Sequence, residues 1–177
     1  MIDKDLLSRF CSIEEFRDAI NQPWSEGEFS YASDGRVLVE IPRLADVPES
    51  EIAPKNVRKT ILDATMPANA QYQTLDEELR KEIVSLSPVK SCPQCGGTGR
   101  CQCRDCRANH HCGRCEGSGD VVATFTYKEQ EFKAVTLQNL IRLPGLQWSL
   151  DLKTEKVYFK FEGGRGVMTA LRPRSED

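Results

Sequence analysis

No apolar run in this chain approaches the length of a membrane span, and its first residues, MIDKDLLSRF, lack the basic and apolar regions of an export signal. The expectation is a cytoplasmic, reducing setting, where clustered cysteines hold metal more readily than they form disulfides. Positive charge is not in excess: 24 Lys and Arg face 27 Asp and Glu, for a net charge of −3, an ordinary balance that argues against indiscriminate nucleic-acid binding. Histidine is scarce, with two in 177 residues, and a single cysteine of the eight, Cys11, lies outside one short segment. That length suits one compact domain, or one domain carrying a small insertion, and it buries a core without covalent staples.

What the sequence does have is concentrated. CPQCGGTGRCQCRDCRANHHCGRCEGSG, residues 92–119, holds the other seven cysteines and both histidines. Its outer pairs, Cys92-Pro-Gln-Cys95 and Cys112-Gly-Arg-Cys115, are separated by sixteen residues. Two thiolates three positions apart grasp one face of an ion and a second such pair closes the tetrahedron, so this spacing points to zinc. Glycines after each pair let the backbone turn sharply. Between them lie Cys101, Cys103 and Cys106, then His110 and His111. Three cysteines with either histidine suit a second ion, as do Cys103, Cys106 and both histidines with Cys101 spare. Left unliganded, the inner cysteines would be exposed free thiols. Two Zn²⁺ per chain, and one at minimum, are expected. The bases of this segment (Lys90, Arg100, Arg104, Arg107 and Arg114 against Asp105 and Glu116) then read as counter-charge to the thiolates.

The flanking sequence predicts an α+β fold: antiparallel strands and a few short helices, interrupted by a zinc-binding hairpin. Residues 1–90 form the N-terminal part of the body, 91–120 the insertion and 121–177 the β-rich remainder. Ser12-Ile-Glu-Glu15 fits a capping box for a helix that places Ile13, Phe16 and Ile20 on one face and stops before Pro23. Cys11 reads as a small buried hydrophobe. EFSYASDGRVLVEIP predicts a hairpin around a two-residue Asp34-Gly35 loop, with Val37, Val39 and Ile41 alternating after it. A short helix is expected around Val57, Ile61 and Leu62, and a clearer one from the capping box Thr74–Glu77, with Leu75, Leu79, Ile83 and Leu86 on one face. Beyond the cysteines, VVATFTY and EFKAV read as strands, Thr136–Leu143 as a helix, and LQWSLDL, KVYFKFE and GVMTAL as three strands before a charged tail. FSYASDGRVLVEIPR and FKFEGGRGVMTALRPR share an aromatic strand, a Gly-Arg turn, an apolar strand and a Pro-Arg exit. Either generic hairpin chemistry or a duplicated α+β unit accounts for that likeness.

Residues 92–99 and 112–119 both read C-x-x-C-x-G-x-G, which resembles the cysteine-rich domain of DnaJ-type co-chaperones and the single-zinc anti-TRAP protein. The resemblance implies two zinc ions on a long β-hairpin, with Cys92, Cys95, Cys112 and Cys115 as the outer site. The inner CQCRDC…HH departs from it, and J domain, His-Pro-Asp triplet and Gly/Phe-rich linker are missing. The body is weakly similar to one domain of a bacterial sliding clamp, and the whole resembles an uncharacterised phage or prophage protein.

Enzyme chemistry has little to stand on. A closed four-ligand zinc site leaves no position for water, and the His-x-Glu and Pro-Cys-x-x-Cys pairing of zinc deaminases is missing. Gly163-Gly164-Arg165-Gly166 lacks the lysine of a phosphate loop, and Gly96-Gly97 opposes the helix that a thioredoxin-like Cys92–Cys95 pair requires. The sequence therefore predicts a non-enzymatic zinc-binding protein that uses its module and body for macromolecular contact, first with a protein. Nucleic-acid association, thiol–disulfide chemistry and self-association through edge strands are the alternatives; no membrane role is expected.

Overall fold

The computed structural model describes residues 2–14, 17–63, 66–67, 69–103 and 107–171. Its frame is an antiparallel sheet of seven strands: β1 (Trp24–Glu26), β2 (Phe29–Ser33), β3 (Val37–Pro42), β4 (Gln73–Thr74), β11 (Gln147–Asp151), β12 (Lys156–Phe161) and β13 (Gly164–Thr169), in the order β1-β2-β3-β13-β12-β11-β4. Among the described residues three short α-helices accompany it, α1 (Lys4–Ser8), α2 (Glu77–Ser85) and α3 (Ala134–Leu140), with a turn of π-helix at Arg58–Leu62. The fold is thus α+β. Among the described residues no helix is long and apolar enough to cross a membrane.

Both faces of the sheet are covered. Val37, Val39 and Ile41 alternate as expected onto one face, where they join Trp148, Phe159, Leu79 and Ile83 of α2 and Leu137 and Leu140 of α3. The residues between them are buried too: Leu38 packs with Trp24, Tyr31, Tyr158 and Val167 beneath Val57 and Leu62. A strand covered on both sides loses the in–out polarity of a one-sided sheet.

Several local expectations need correction. The helix predicted after Ser12 is not found among the described residues: Ser12–Glu14 is irregular, Asp18–Ile20 is one 3₁₀ turn, and Ile13 is 98% exposed. Glu15 and Phe16, on which that capping box and face relied, lie outside the described residues, as does the tail 172–177. Helix forms earlier instead, where the Asp3 carboxylate accepts from Leu6 N (2.8 Å). Likewise α2 is capped by Asp76, whose Oδ1 accepts from Leu79 N (2.6 Å), while Thr74 belongs to β4. The β2–β3 turn is longer than two residues, since Ser33 pairs with Leu38. Only Gly35 has positive φ there (+87°), and Asp34 Oδ1 closes the turn by accepting from Arg36 N and Val37 N.

The two similar hairpins lie side by side, because β3 pairs antiparallel with β13. Aligning them on Gly35-Arg36 and Gly164-Arg165 makes Leu38 the equivalent of Val167, and these two face each other in register. The Arg165–Glu40 pairing then has its counterpart in Arg36, whose carbonyl accepts from Thr169 N (2.9 Å). Strand register and sequence likeness therefore share one approximate two-fold, between β3 and β13.

The cysteine segment stands apart from this sheet. It is entered by β5 (Val89–Ser91), which pairs with β8 (Asp120–Val122), and it carries a second small ladder, β6 (Arg100–Gln102) with β7 (Asn109–His111). After β8 the chain forms the hairpin β9 (Thr124–Tyr127) and β10 (Gln130–Lys133) before α3.

Candidate metal centre

Cys92, Cys95, Cys112 and Cys115 come together from the two knuckles, their sulfur atoms all within 4.8 Å of one another. Cys92 Sγ lies 3.8 Å from Cys112 Sγ, and Cys95 Sγ 3.7 Å from Cys115 Sγ. A disulfide would need about 2.0 Å. A tetrahedron with metal–sulfur bonds of about 2.3 Å has sulfur–sulfur edges of about 3.8 Å, so the quartet fits a zinc ion. All four positions are taken by sulfur, and Cys92, Cys112 and Cys115 are buried.

Burial pushes the thiols of Cys92 and Cys112 above the ordinary cysteine value. At Cys95 burial acts the same way, but the backbone N–H groups of Gly99 and Gly97 and the thiols of Cys92 and Cys115 outweigh it and hold Cys95 at about 6. Cys95 thus deprotonates more readily than an ordinary cysteine, and the thiolate is the form that binds a metal.

The knuckles are related by an offset of twenty residues that runs well past their shared motif. Cys92 N donates to Gly119 O (2.8 Å) and Cys112 N to Gly99 O (2.9 Å). The hydroxyls of Thr98 and Ser118 donate to the carbonyls of Cys95 (2.8 Å) and Cys115 (2.6 Å). A Cβ on Gly99 would stand 2.2 Å from Gly117 O, and one on Gly119 2.3 Å from Gly97 O, which explains the final glycine of each motif. The same offset relates β5 to β7 and β6 to β8. It reaches the ladder ends, where Ala123 N donates to Pro88 O (3.0 Å) and Cys103 N to Ala108 O (2.9 Å).

This symmetry locates the inner residues. Cys101 is the equivalent of Val121, and both pack against the sulfur quartet; the Cys101 thiol reaches Cys112. His110 pairs with Cys101 across the ladder, and the His111 ring lies over Gly117. Cys106 lies outside the described residues, with Arg104 and Asp105. Among the described residues, Cys101, Cys103, His110 and His111 are not drawn into a second group like the first. The signal for Cys101 was present in the sequence: extending the motif alignment past its last glycine sets Cys101 against an apolar valine. Cys11 is buried, and burial pushes its thiol up to about 12.

Sequence reading missed one charged cluster. Glu40 is 3% exposed; it accepts from Arg165 Nε (2.8 Å) and Tyr31 Oη (3.1 Å), while Arg165 Nη2 reaches Asp63 (2.7 Å). Its one trace in sequence is a lone acid inside the apolar run VLVEI.

Set against known proteins, the chain matches no family model, curated protein or solved structure.

Proposed function

We propose that residues 91–120 are a structural zinc module through which this chain, without enzymatic activity, binds a protein partner. The observation that carries this reading is the closed sulfur quartet. Four thiolates saturate a tetrahedral ion, so the metal would supply folding energy to a polar segment with little core of its own and would not activate water. We extend the proposal to two zinc ions per chain, with Cys103, Cys106 and His110 at the centre of the second. Residues 103 and 110 share one face of the distal ladder, since Cys103 continues the register opposite Ala108 and side chains alternate along a strand. The exposed residues Arg100, Arg107, Asn109 and Arg114 form the contact surface offered to the partner.

Elemental analysis of purified protein, with chelation followed by NMR, tests the metal. Two equivalents of zinc, and loss of the 91–120 signals on chelation, are expected; metal-free protein with an ordered segment would overturn the reading. For the partner, Arg100→Glu with Arg114→Glu should keep zinc yet lose a protein that the wild-type chain captures. Retention of DNA or RNA that falls steeply with salt would instead favour nucleic acid.

A further inference from the structure

The sheet face that carries Tyr31, Leu38, Tyr158 and Val167 ends differently on the two sides of its two-fold. On one side Glu40, Arg165 and Lys160 form a row across β3, β13 and β12, and Arg165 is neutralised by Glu40 and Asp63. The row across the same three strands on the other side is Arg36, Thr169 and Lys156. By the two-fold, Thr169 stands where the first row has the buried carboxylate Glu40, and among the described residues no acid completes the row. Neither Arg36 nor Lys156 forms an ion pair among the described residues.

Beside this row the sheet opens into a pit of about 160 Å³ walled by Trp24, Leu38, Val57, Ile61 and Val167. Arg36, Lys156 and Thr169 line it too, and they are shared with a wider basin of about 530 Å³ that adds Arg17, Thr154 and Glu155. Arg17 is paired with Glu14, which leaves Arg36 and Lys156 as the cations facing one acid, Glu155, among the described residues there. Trp24 also carries a buried Nε1–H with no acceptor among the described residues, a donor that destabilises the fold while it is left unmet. An apolar pit bordered by two cations that have no ion-pair partner among the described residues matches a ligand that is apolar at one point and anionic beside it.

We propose that the pit and its basic row are a docking site for a short acidic segment of a protein partner. An aliphatic or aromatic side chain of that segment enters between Trp24 and Ile61. An adjacent Asp or Glu carboxylate lies on Arg36 and Lys156, as Glu40 and Asp63 lie on Arg165. The proposal rests on the protein-binding reading for its class of partner, but its surface belongs to the sheet and not to residues 91–120.

The test is an NMR titration of the full-length protein with a heptapeptide of one central phenylalanine between two runs of three glutamates. Two further peptides carry alanine for the phenylalanine or lysines for the glutamates. The acidic phenylalanine peptide should shift the Trp24 indole and the Leu38 and Val167 methyl signals, and the other two should not. Arg36→Glu with Lys156→Glu, and separately the rim change Ile61→Glu, should each weaken binding by at least about tenfold while leaving a dispersed spectrum. Chelation should leave this binding unchanged. Absence of shifts, equal shifts from the lysine peptide, or shifts confined to 91–120 would overturn the proposal. Shifts from decanoate without shifts from the peptide would overturn it in favour of a small amphipathic anion. If peptide binding persists while the Arg100→Glu, Arg114→Glu chain still captures its partner, the module reading fails alone; the converse pattern defeats this site alone.

Discussion

At Gly99 and Gly119 each knuckle presses its backbone against a carbonyl oxygen of the other, so a single methyl group there meets an atom that cannot move aside. Gly99→Ala should destabilise the module by about 2 kcal/mol or more and weaken zinc binding, read by competition with a chromogenic chelator. Gly113→Ala, which has ordinary φ and open space around it, should be silent in the same assay. Cys101→Val copies its symmetry mate and should keep the ion of the quartet, whereas Cys112→Ser should lose it; loss in both would return Cys101 to the ligand set. Tyr31 offers a test at high pH. Burial and the neighbouring Glu40 raise its phenol above the ordinary tyrosine value of about 10. The protonated form is therefore the one the fold favours: the contribution is complete below that ordinary value and is lost as pH rises through the folded value. An ultraviolet titration should show a late tyrosine step that Tyr31→Phe removes.

Among the elements, the π-helical turn Arg58–Leu62 is held to the sheet by Leu62 in the core and by the Glu40–Arg165–Asp63 chain beside it. Removing one partner of a buried pair leaves the other charge without compensation. Arg165→Met should thus cost about 3 kcal/mol in urea unfolding, and adding Glu40→Leu should recover most of it. No local pattern announces this cluster, because its members are brought together from residues 40, 63 and 165. The quartet was legible for the opposite reason: each Cys-x-x-Cys is a turn complete in itself, and only their pairing is long-range. The hairpins were legible from alternation and from their glycine turns, although the loop at Asp34-Gly35 is longer than the two residues expected. The helix after Ser12 was misread because a capping pattern describes what a segment can do in isolation. Here Ser12 N donates to Ile20 O (2.9 Å), and the Ser12 hydroxyl accepts from Glu14 N (3.2 Å) in a local turn.

For the whole molecule, the seven-stranded sheet draws strands from both sides of the cysteine segment and none from within it. Unfolding should accordingly split in two: chelation removes the amide protection of 91–120 while protection at Val39, Tyr158 and Phe159 stays high, measured by hydrogen exchange. A single cooperative loss of both would show that metal and sheet are one unit. At the junction between them Ala123 N donates to Pro88 O, so the chain leaves the body and returns at neighbouring, hydrogen-bonded positions. That closeness makes the junction a hinge post for protein engineering. Residues 89–122 could be replaced by a two-residue turn, or lifted out and set into a hairpin of another protein, and the backbone on either side would keep the separation it already has.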